Sequence, residues 1–241
     1  MKFMELRLFL EMLKHQNLRG IALDIDETIS DTGVDFFSRL LKRHPVSGNP
    51  TPEELIQRYK FTDAVPEWQN EKAREFMEEY RTSNEIQITI PVMHGAVENV
   101  QAIHSDLVQV VVYITARPTI VTRGTEQWLS DNKFPQATVI TRPDDIPHSQ
   151  ANFWKASVLY CLRSHVLGIV DDNYGLQMEL PTTYNGTVFL FGVQPPELSS
   201  IEAIRKPREE RQKDQFNLVR VPDWNRAYDI VEKHNPLQQL L

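Results

Sequence analysis

Residues 19–32, Arg19-Gly20-Ile21-Ala22-Leu23-Asp24-Ile25-Asp26-Glu27-Thr28-Ile29-Ser30-Asp31-Thr32, constrain the fold more than any other stretch of the chain. They open as a short apolar run, the pattern of a strand buried on both faces of a parallel sheet. At Asp24 the run turns acidic. Open α/β sheets bind their ligands just beyond the carboxyl ends of the strands, so Asp24 and Asp26 are predicted to stand where chemistry is done. Two carboxylates one residue apart repel each other, and the arrangement is costly unless a cation or a proton-transfer task compensates.

The segments that follow are first helical and then alternating. Val34, Phe37 and Leu41, with Phe36 and Leu40 beside them, have helical spacing that stops at His44-Pro45. Thr51-Pro52-Glu53-Glu54 is a capping box opening a helix through Tyr59, and Trp68, Lys72, Ala73, Phe76 and Tyr80 mark a third helix. The first credible strand after this block is Ile86 to Ile90. From about residue 95, helices (Ala96 to Ser105, Pro118 to Leu129, Asn152 to Arg163 and Asp223 to Lys233) are interleaved with strands. The strands are Val108 to Ile114, Ala137 to Ile140, Val166 to Val170, Val188 to Phe191 and Leu218 to Val221. The whole predicts an α/β fold: a Rossmann-like parallel sheet with right-handed crossovers and helices on both faces, formed by residues 1–32 and 94–241. An all-helical domain, residues 33–93, is inserted after the first strand.

Composition narrows the class. A net charge of −7 argues against a binder of nucleic-acid polymers or of membrane surfaces. The single Cys161 rules out a disulfide framework or a multi-cysteine zinc site and reads as part of a buried helix face. At the N-terminus Leu6, Leu8, Phe9, Leu10 and Leu13 read as the packing positions of an amphipathic helix. Glu5, Arg7 and Glu11 interrupt the run, with no small-residue cleavage site after it. No stretch reaches the roughly 18 unbroken apolar residues of a membrane span, so a cytoplasmic protein is expected. The mixed-sign run Arg205 to Asp214 is expected to be a solvated loop or helix.

Three further element ends carry reactive groups. The strand Val108 to Ile114 runs into Thr115-Ala116-Arg117-Pro118, a hydroxyl and a guanidinium at the start of a helix. Lys155 falls early in the next helix; with Asn152 as N-cap it would sit in the first turn, where the macrodipole disfavours a cation without a nearby anion, whereas with Ser149 as cap that argument fades. The strand Val166 to Val170 ends at Asp171-Asp172, a second acidic pair, and one shared divalent cation would relieve both pairs.

In order, Asp-x-Asp-x-Thr, Thr115, Lys155 and Asp171-Asp172 resemble the four motifs of the haloacid dehalogenase (HAD) superfamily, over Arg19 to about Gly192. The insertion resembles that superfamily's type-1 helical cap, as in small-metabolite phosphatases and 5'-nucleotidases. The resemblance implies that Asp24 is a nucleophile forming an aspartyl-phosphate and that Asp26 is the general acid and then base. It also implies that Thr115 and Lys155 hold the phosphoryl oxygens and that Arg117 touches the leaving group. Mg2+ would be bound by Asp24, the Asp26 backbone carbonyl and Asp172, with Asp171 behind it. Thr28 would fix the turn. Asp26 separates the chain from relatives that hydrolyse carbon–halogen bonds, and no lysine among Lys42, Lys60 and Lys72 stands out as a Schiff-base former.

The expected function is a Mg2+-dependent phosphomonoester hydrolase for a small phosphorylated metabolite, its insertion closing on hinges at Gly33 and at residues 91–95. A phosphomutase or phosphotransferase of the same fold, or a non-catalytic phospholigand-binding protein, are the alternatives.

Overall fold

The computed structural model describes residues 3–192 and 217–237. The apolar run becomes β1, Gly20–Leu23, and the later strands are β2 (Val110–Pro118), β3 (Thr138–Arg142), β4 (Val166–Asp171), β5 (Thr187–Phe191) and β6 (Asn217–Val221). They form one six-stranded, all-parallel sheet in the order β3-β2-β1-β4-β5-β6. The chain starts in the middle, winds outward to β3, then crosses back to β4 on the other side of β1. That reversal opens a crevice at the carboxyl ends of β1, β2 and β4, where Asp24, Thr115 and Asp171 stand.

Helices cover both faces. α1 (Phe3–His15) and α8 (Ala151–Leu162) lie on one side, where Phe9, Leu13, Leu159 and Leu162 pack with Ala22 of β1. α6 (Ala96–Ala102), α7 (Thr122–Asp131) and the last helix, α10 (Trp224–Lys233), lie on the other, where Val100, Trp128 and Val231 pack with Ile21 and Leu23. Neighbouring residues of β1 thus serve opposite layers, as a strand buried on both faces requires. α9 (Tyr174–Glu179) follows β4.

Between β1 and α6 the chain forms α2 (Thr32–Arg43), α3 (Pro52–Tyr59), α4 (Glu71–Thr82) and α5 (Asn84–Ile88). These bury an apolar cluster of their own around Phe37, Leu40, Leu55, Trp68, Phe76 and Tyr80. The Thr51 capping box is formed in full: its side chain accepts from the Glu54 amide while the Glu54 carboxylate accepts from the Thr51 amide. The entry and exit of the insertion run side by side, with the Asp31 amide donating to the Pro91 carbonyl and the Met93 amide to the Ile29 carbonyl, each at 2.9 Å.

Several local expectations are corrected. Ile86 to Ile90 is not a strand but falls on α5 and the residues after it, with Ser83 as N-cap accepting from the Ile86 amide. The isoleucines at 86, 88 and 90 imitate an alternating strand. α5 instead turns Ile86 into the core and leaves Ile88 exposed, and Ile90, beyond the end of the helix, is buried. Cys161 is exposed, in line with the exposed Phe153 and Ser157 four residues apart along α8, while Leu159 and Leu162 are buried. Leu8 of α1 likewise faces solvent. β2 extends through Pro118, and a 3-10 turn at Thr119–Val121 precedes α7. Neither Asn152 nor Ser149 caps α8, which follows a 3-10 turn at His148–Gln150, so Lys155 lies in its second turn. The charge run at residues 205–214 lies outside the described residues. No helix among the described residues is long and apolar enough to cross a membrane.

The insertion docks on the core through Asn84, whose side-chain oxygen accepts from the Gly124 amide at 2.6 Å and whose amide donates to the Ile120 carbonyl at 3.0 Å. A methyl group at Gly124 would come within 2.5 Å of the Asn84 carbonyl oxygen. Gly124→Ala is therefore expected to destabilise the protein by about 1–3 kcal/mol, as overpacking does. Urea unfolding measures it, and a loss below roughly 0.5 kcal/mol, the range of a neutral surface change, would contradict this docking.

Candidate active site

The carboxyl end of β1 is pinned to β4, with the Asp24 amide donating to the Val170 carbonyl at 2.9 Å. This directs the buried Asp24 side chain toward the end of β4. Asp171, fully buried, and Asp172 stand there, and carboxylate oxygens of all three residues lie within 4.8 Å of one another. Lys155 reaches in from α8 and places its Nζ 2.8 Å from Asp24 Oδ1 and 2.8 Å from Asp171 Oδ2. Asp171 Oδ1 accepts from the Asn173 amide at 2.8 Å, which fixes the carboxylate plane.

One ammonium cannot neutralise three carboxylates. Burial, reinforced by Asp171 and Asp26 and opposed by Lys155, pushes the Asp24 carboxyl up to about 7. Asp172 is also raised well above the ordinary range, by burial and then by Asp171 and Asp24. Burial works against the charge on Lys155, but Asp171 and Asp24 outweigh it and hold the ammonium charged beyond its usual range. A pocket of hard oxygen donors with excess negative charge is what a divalent cation such as Mg2+ fits.

Asp26 points to the other side. Its carboxylate takes the Arg117 guanidinium side-on, with Nε 3.0 Å and Nη2 2.7 Å from Oδ1, and accepts from the Thr32 hydroxyl at 2.7 Å. Burial opposes ionisation there, but Arg117 and then Thr32 prevail and hold Asp26 below the usual carboxylate range. Arg117 is itself buried and donates also to Ser30 and Thr125. Expected to touch the leaving group, its guanidinium is engaged here by Asp26. Thr115 is fully buried, with Oγ1 accepting from the Arg117 amide at 3.1 Å and lying 3.4 Å from Asp26 Oδ2.

The turn that carries both aspartates is closed by backbone and by Ser30. The Ile29 and Ser30 amides and the Ser30 hydroxyl all donate to the Ile25 carbonyl. Thr28 was expected to fix this turn, yet its buried hydroxyl has no partner among the described residues. Its backbone takes part instead, the amide donating to the Ile25 carbonyl at 3.3 Å and the carbonyl accepting from the Trp224 indole of α10 at 2.7 Å. Glu27 occupies the left-handed region at φ 57°, and its carboxylate accepts from the Gly33 amide. Sequence reasoning assigned no role to Ser30, Thr32 or Trp224. The first two lie inside the stretch that drew attention, whereas Trp224 is 196 residues from Thr28 and gave no local signal.

The family model described as "PITM 1-3, LNS2 domain" matches residues 80–185, a stretch that contains Thr115, Lys155, Asp171 and Asp172 but not Asp24 or Asp26. Among solved structures, a HAD-superfamily hydrolase of subfamily IA, variant 1, from Geobacter sulfurreducens is 12% identical with a TM-score of 0.49. The alignment covers 89% of this chain and 96% of that one. No curated protein matches the chain.

The raised Asp24 carboxyl sets a sign. A group that binds its proton more tightly folded than unfolded makes stability fall as pH rises from its ordinary value of 3.8 to about 7. A cation that needs Asp24 ionised reverses this loss, so Mg2+ is expected to raise Tm clearly near about pH 8 and little near about pH 5. Calorimetry across pH with and without Mg2+ measures it. An equal shift at both pH values would contradict an Asp24-centred cation site.

Proposed function

We propose that the chain is a Mg2+-dependent phosphomonoester hydrolase acting on a small phosphorylated metabolite through an aspartyl-phosphate on Asp24. The observation that carries this reading is Lys155 at 2.8 Å from both Asp24 and Asp171, with Asp172 beside them. A carboxylate held by a buried ammonium next to a cation pocket is oriented as a nucleophile and able to receive a dianionic phosphoryl group. Mg2+ would be held by Asp24, the Asp26 backbone carbonyl, Asp172 and Asp171, where it would offset carboxylate charge and polarise the phosphoryl group.

An Asp24 oxygen forms a bond to phosphorus as the bond to the leaving oxygen breaks. Lys155 and Thr115 hold the phosphoryl oxygens, and Asp26 gives a proton to the leaving oxygen. Water then attacks phosphorus, Asp26 takes its proton, and phosphate leaves with the Asp24 carboxylate restored. Asp26 begins as the partner of Arg117, which favours its anion. An incoming phosphoryl group competes for that guanidinium and frees Asp26 to carry a proton, so in this scheme Arg117 couples substrate arrival to acid–base competence. A helical insertion that closes over the crevice would suit a small substrate better than a nucleic-acid polymer or a membrane surface.

Phosphate release from a panel of phosphomonoesters, with Mg2+ and with EDTA, tests the reading. Mg2+-dependent release is expected, and none from any member would contradict hydrolysis. Asp26→Asn is expected to slow turnover by roughly 10²- to 10⁴-fold for alkyl phosphates, the usual value of acid–base catalysis, and by less for nitrophenyl phosphate. Equal losses for both leaving groups would remove Asp26 as the acid.

A further inference from the structure

The two oxygens of the Asp26 carboxylate are held unequally. Oδ1 takes the short contacts, from Arg117 Nη2 at 2.7 Å, Arg117 Nε at 3.0 Å and the Thr32 hydroxyl at 2.7 Å. Oδ2 has Arg117 Nε at 3.2 Å and the Thr115 hydroxyl at 3.4 Å. The carboxylate is therefore anchored through Oδ1, Oδ2 is the less engaged oxygen, and the side chain is still 29% exposed. In the proposed scheme Arg117 is drawn to the phosphoryl group. Once it turns away, the Thr32 hydroxyl is the one short hydrogen bond left on the carboxylate among the described residues, because the Ser30 and Thr115 hydroxyls stand at 3.4 Å. A hydroxyl donating to an anion at 2.7 Å is a strong, orienting bond, whereas 3.4 Å lies beyond the usual range for hydroxyl donors.

Thr32 opens α2, and its place is set from α4, further along the insertion. Tyr80, buried on α4, turns its hydroxyl back onto the first turn of α2, 2.9 Å from Asp35 Oδ2 and 3.3 Å from the Thr32 carbonyl oxygen. With a single proton to give, it donates chiefly to the carboxylate and keeps the Thr32 carbonyl as a second acceptor. Burial first, and then Asp35, push this phenol above its ordinary range, so it remains a donor. Its ring stacks on Phe36 with centroids 4.0 Å apart and meets Phe76 edge-on at 6.4 Å, which restrains the phenol. Asp35 in turn takes Arg39 Nε at 2.8 Å, and Arg39 Nη2 donates to the Thr89 hydroxyl at 2.9 Å, near the exit of the insertion. Packing alone does not call for these hydroxyls. Phenylalanine at position 80 would keep both ring contacts, and valine at position 32 would keep the branched side chain.

We propose that Thr32 is a positioning residue for Asp26, aiming its Oδ2 at the leaving oxygen, and that Tyr80 acts through Thr32 from the insertion. This rests on the proposed hydrolase reading and adds to it the part of the insertion that bears on proton transfer. Neither residue touches the phosphoryl group or gives up a proton in the reaction. Thr32 keeps Asp26 in line after Arg117 has turned away, and Tyr80 keeps Thr32 within reach of Asp26. A misplacement of about 1 Å at a reacting group costs up to roughly 10²-fold in rate, and here the loss falls on substrates whose leaving oxygen needs a proton.

Turnover of an alkyl phosphate and of nitrophenyl phosphate, with Mg2+ in excess, is compared across Thr32→Val, Thr32→Ser, Tyr80→Phe and the double variant Thr32→Val/Tyr80→Phe, with folding checked by Tm. Thr32→Val is expected to lower kcat roughly tenfold or more for the alkyl ester and no more than about twofold for nitrophenyl phosphate. Thr32→Ser, which keeps the hydroxyl, is expected to stay within about twofold of wild type on both. Tyr80→Phe is expected to lose about threefold or more on the alkyl ester alone and to add nothing in the double variant, because it acts through Thr32. Equal losses on both esters, no loss in Thr32→Val or in Tyr80→Phe, or losses that multiply in the double variant would overturn the proposal. Urea unfolding of the same proteins needs no turnover: the two substitutions together are expected to raise the unfolding equilibrium constant by less than the product of their single effects. Such coupling in a protein that hydrolyses neither ester would leave the link between Tyr80 and Thr32 standing and remove the hydrolase reading, whereas single effects that simply multiply would overturn the link.

Discussion

The site depends on one buried ammonium. Lys155 stands 2.8 Å from Asp24 and 2.8 Å from Asp171, and without it two buried carboxylates would face each other with no compensating charge. Removing one partner of such a buried arrangement typically costs about 3–5 kcal/mol. The parallel sheet makes the arrangement possible, because β1 and β4 are neighbours and deliver Asp24 and Asp171 side by side. α8, which packs on both β2 and β3, delivers the lysine from the face of the sheet. Even so the charges do not balance: burial first, and then the neighbouring carboxylates, raise the Asp24 and Asp172 carboxyls, and a cation would offset that.

A second ion pair organises the opposite wall. Arg117 grips Asp26 across 91 residues of sequence and donates also to Ser30 and Thr125, while the Thr32 hydroxyl donates to Asp26. The two aspartates of one turn therefore live in contrasting environments: one raised among carboxylates, the other lowered by a guanidinium. This order is the reverse of what the proposed roles require, so the scheme depends on a cation to ionise Asp24 and on an incoming phosphoryl group to draw Arg117 away from Asp26. Trp224 braces the turn from behind through the Thr28 carbonyl, so the last helix is part of the support of the site.

Much of this was legible in the sequence because a parallel α/β sheet turns order along the chain into place. Each reactive residue that followed an apolar run, Asp24, Thr115 and Asp171, had to appear at the same edge. The partners within that edge were not legible. That Arg117 would turn to Asp26 depends on the pairing of β1 with β2, and that Trp224 would reach Thr28 depends on the packing of the last helix; neither leaves a local pattern. Ile86 to Ile90 misled for a different reason, since isoleucines two apart satisfy an alternating template while positions 86 and 90 also satisfy a helical one. Cys161 misled because an apolar helix such as α8 offers too little polarity to show which side faces water.

The central claim is that Asp24 carries the phosphoryl group, and it holds whether water or an alcohol is the final acceptor. Acid quenching during turnover, followed by borohydride reduction and peptide mass spectrometry, reads it directly, because reduction of an acyl phosphate converts the aspartate to homoserine. Conversion at position 24, dependent on substrate and Mg2+ and lost in Asp24→Asn, is the expected result. Turnover with no conversion at that position, or with conversion at Asp26 or Asp171 instead, would contradict it.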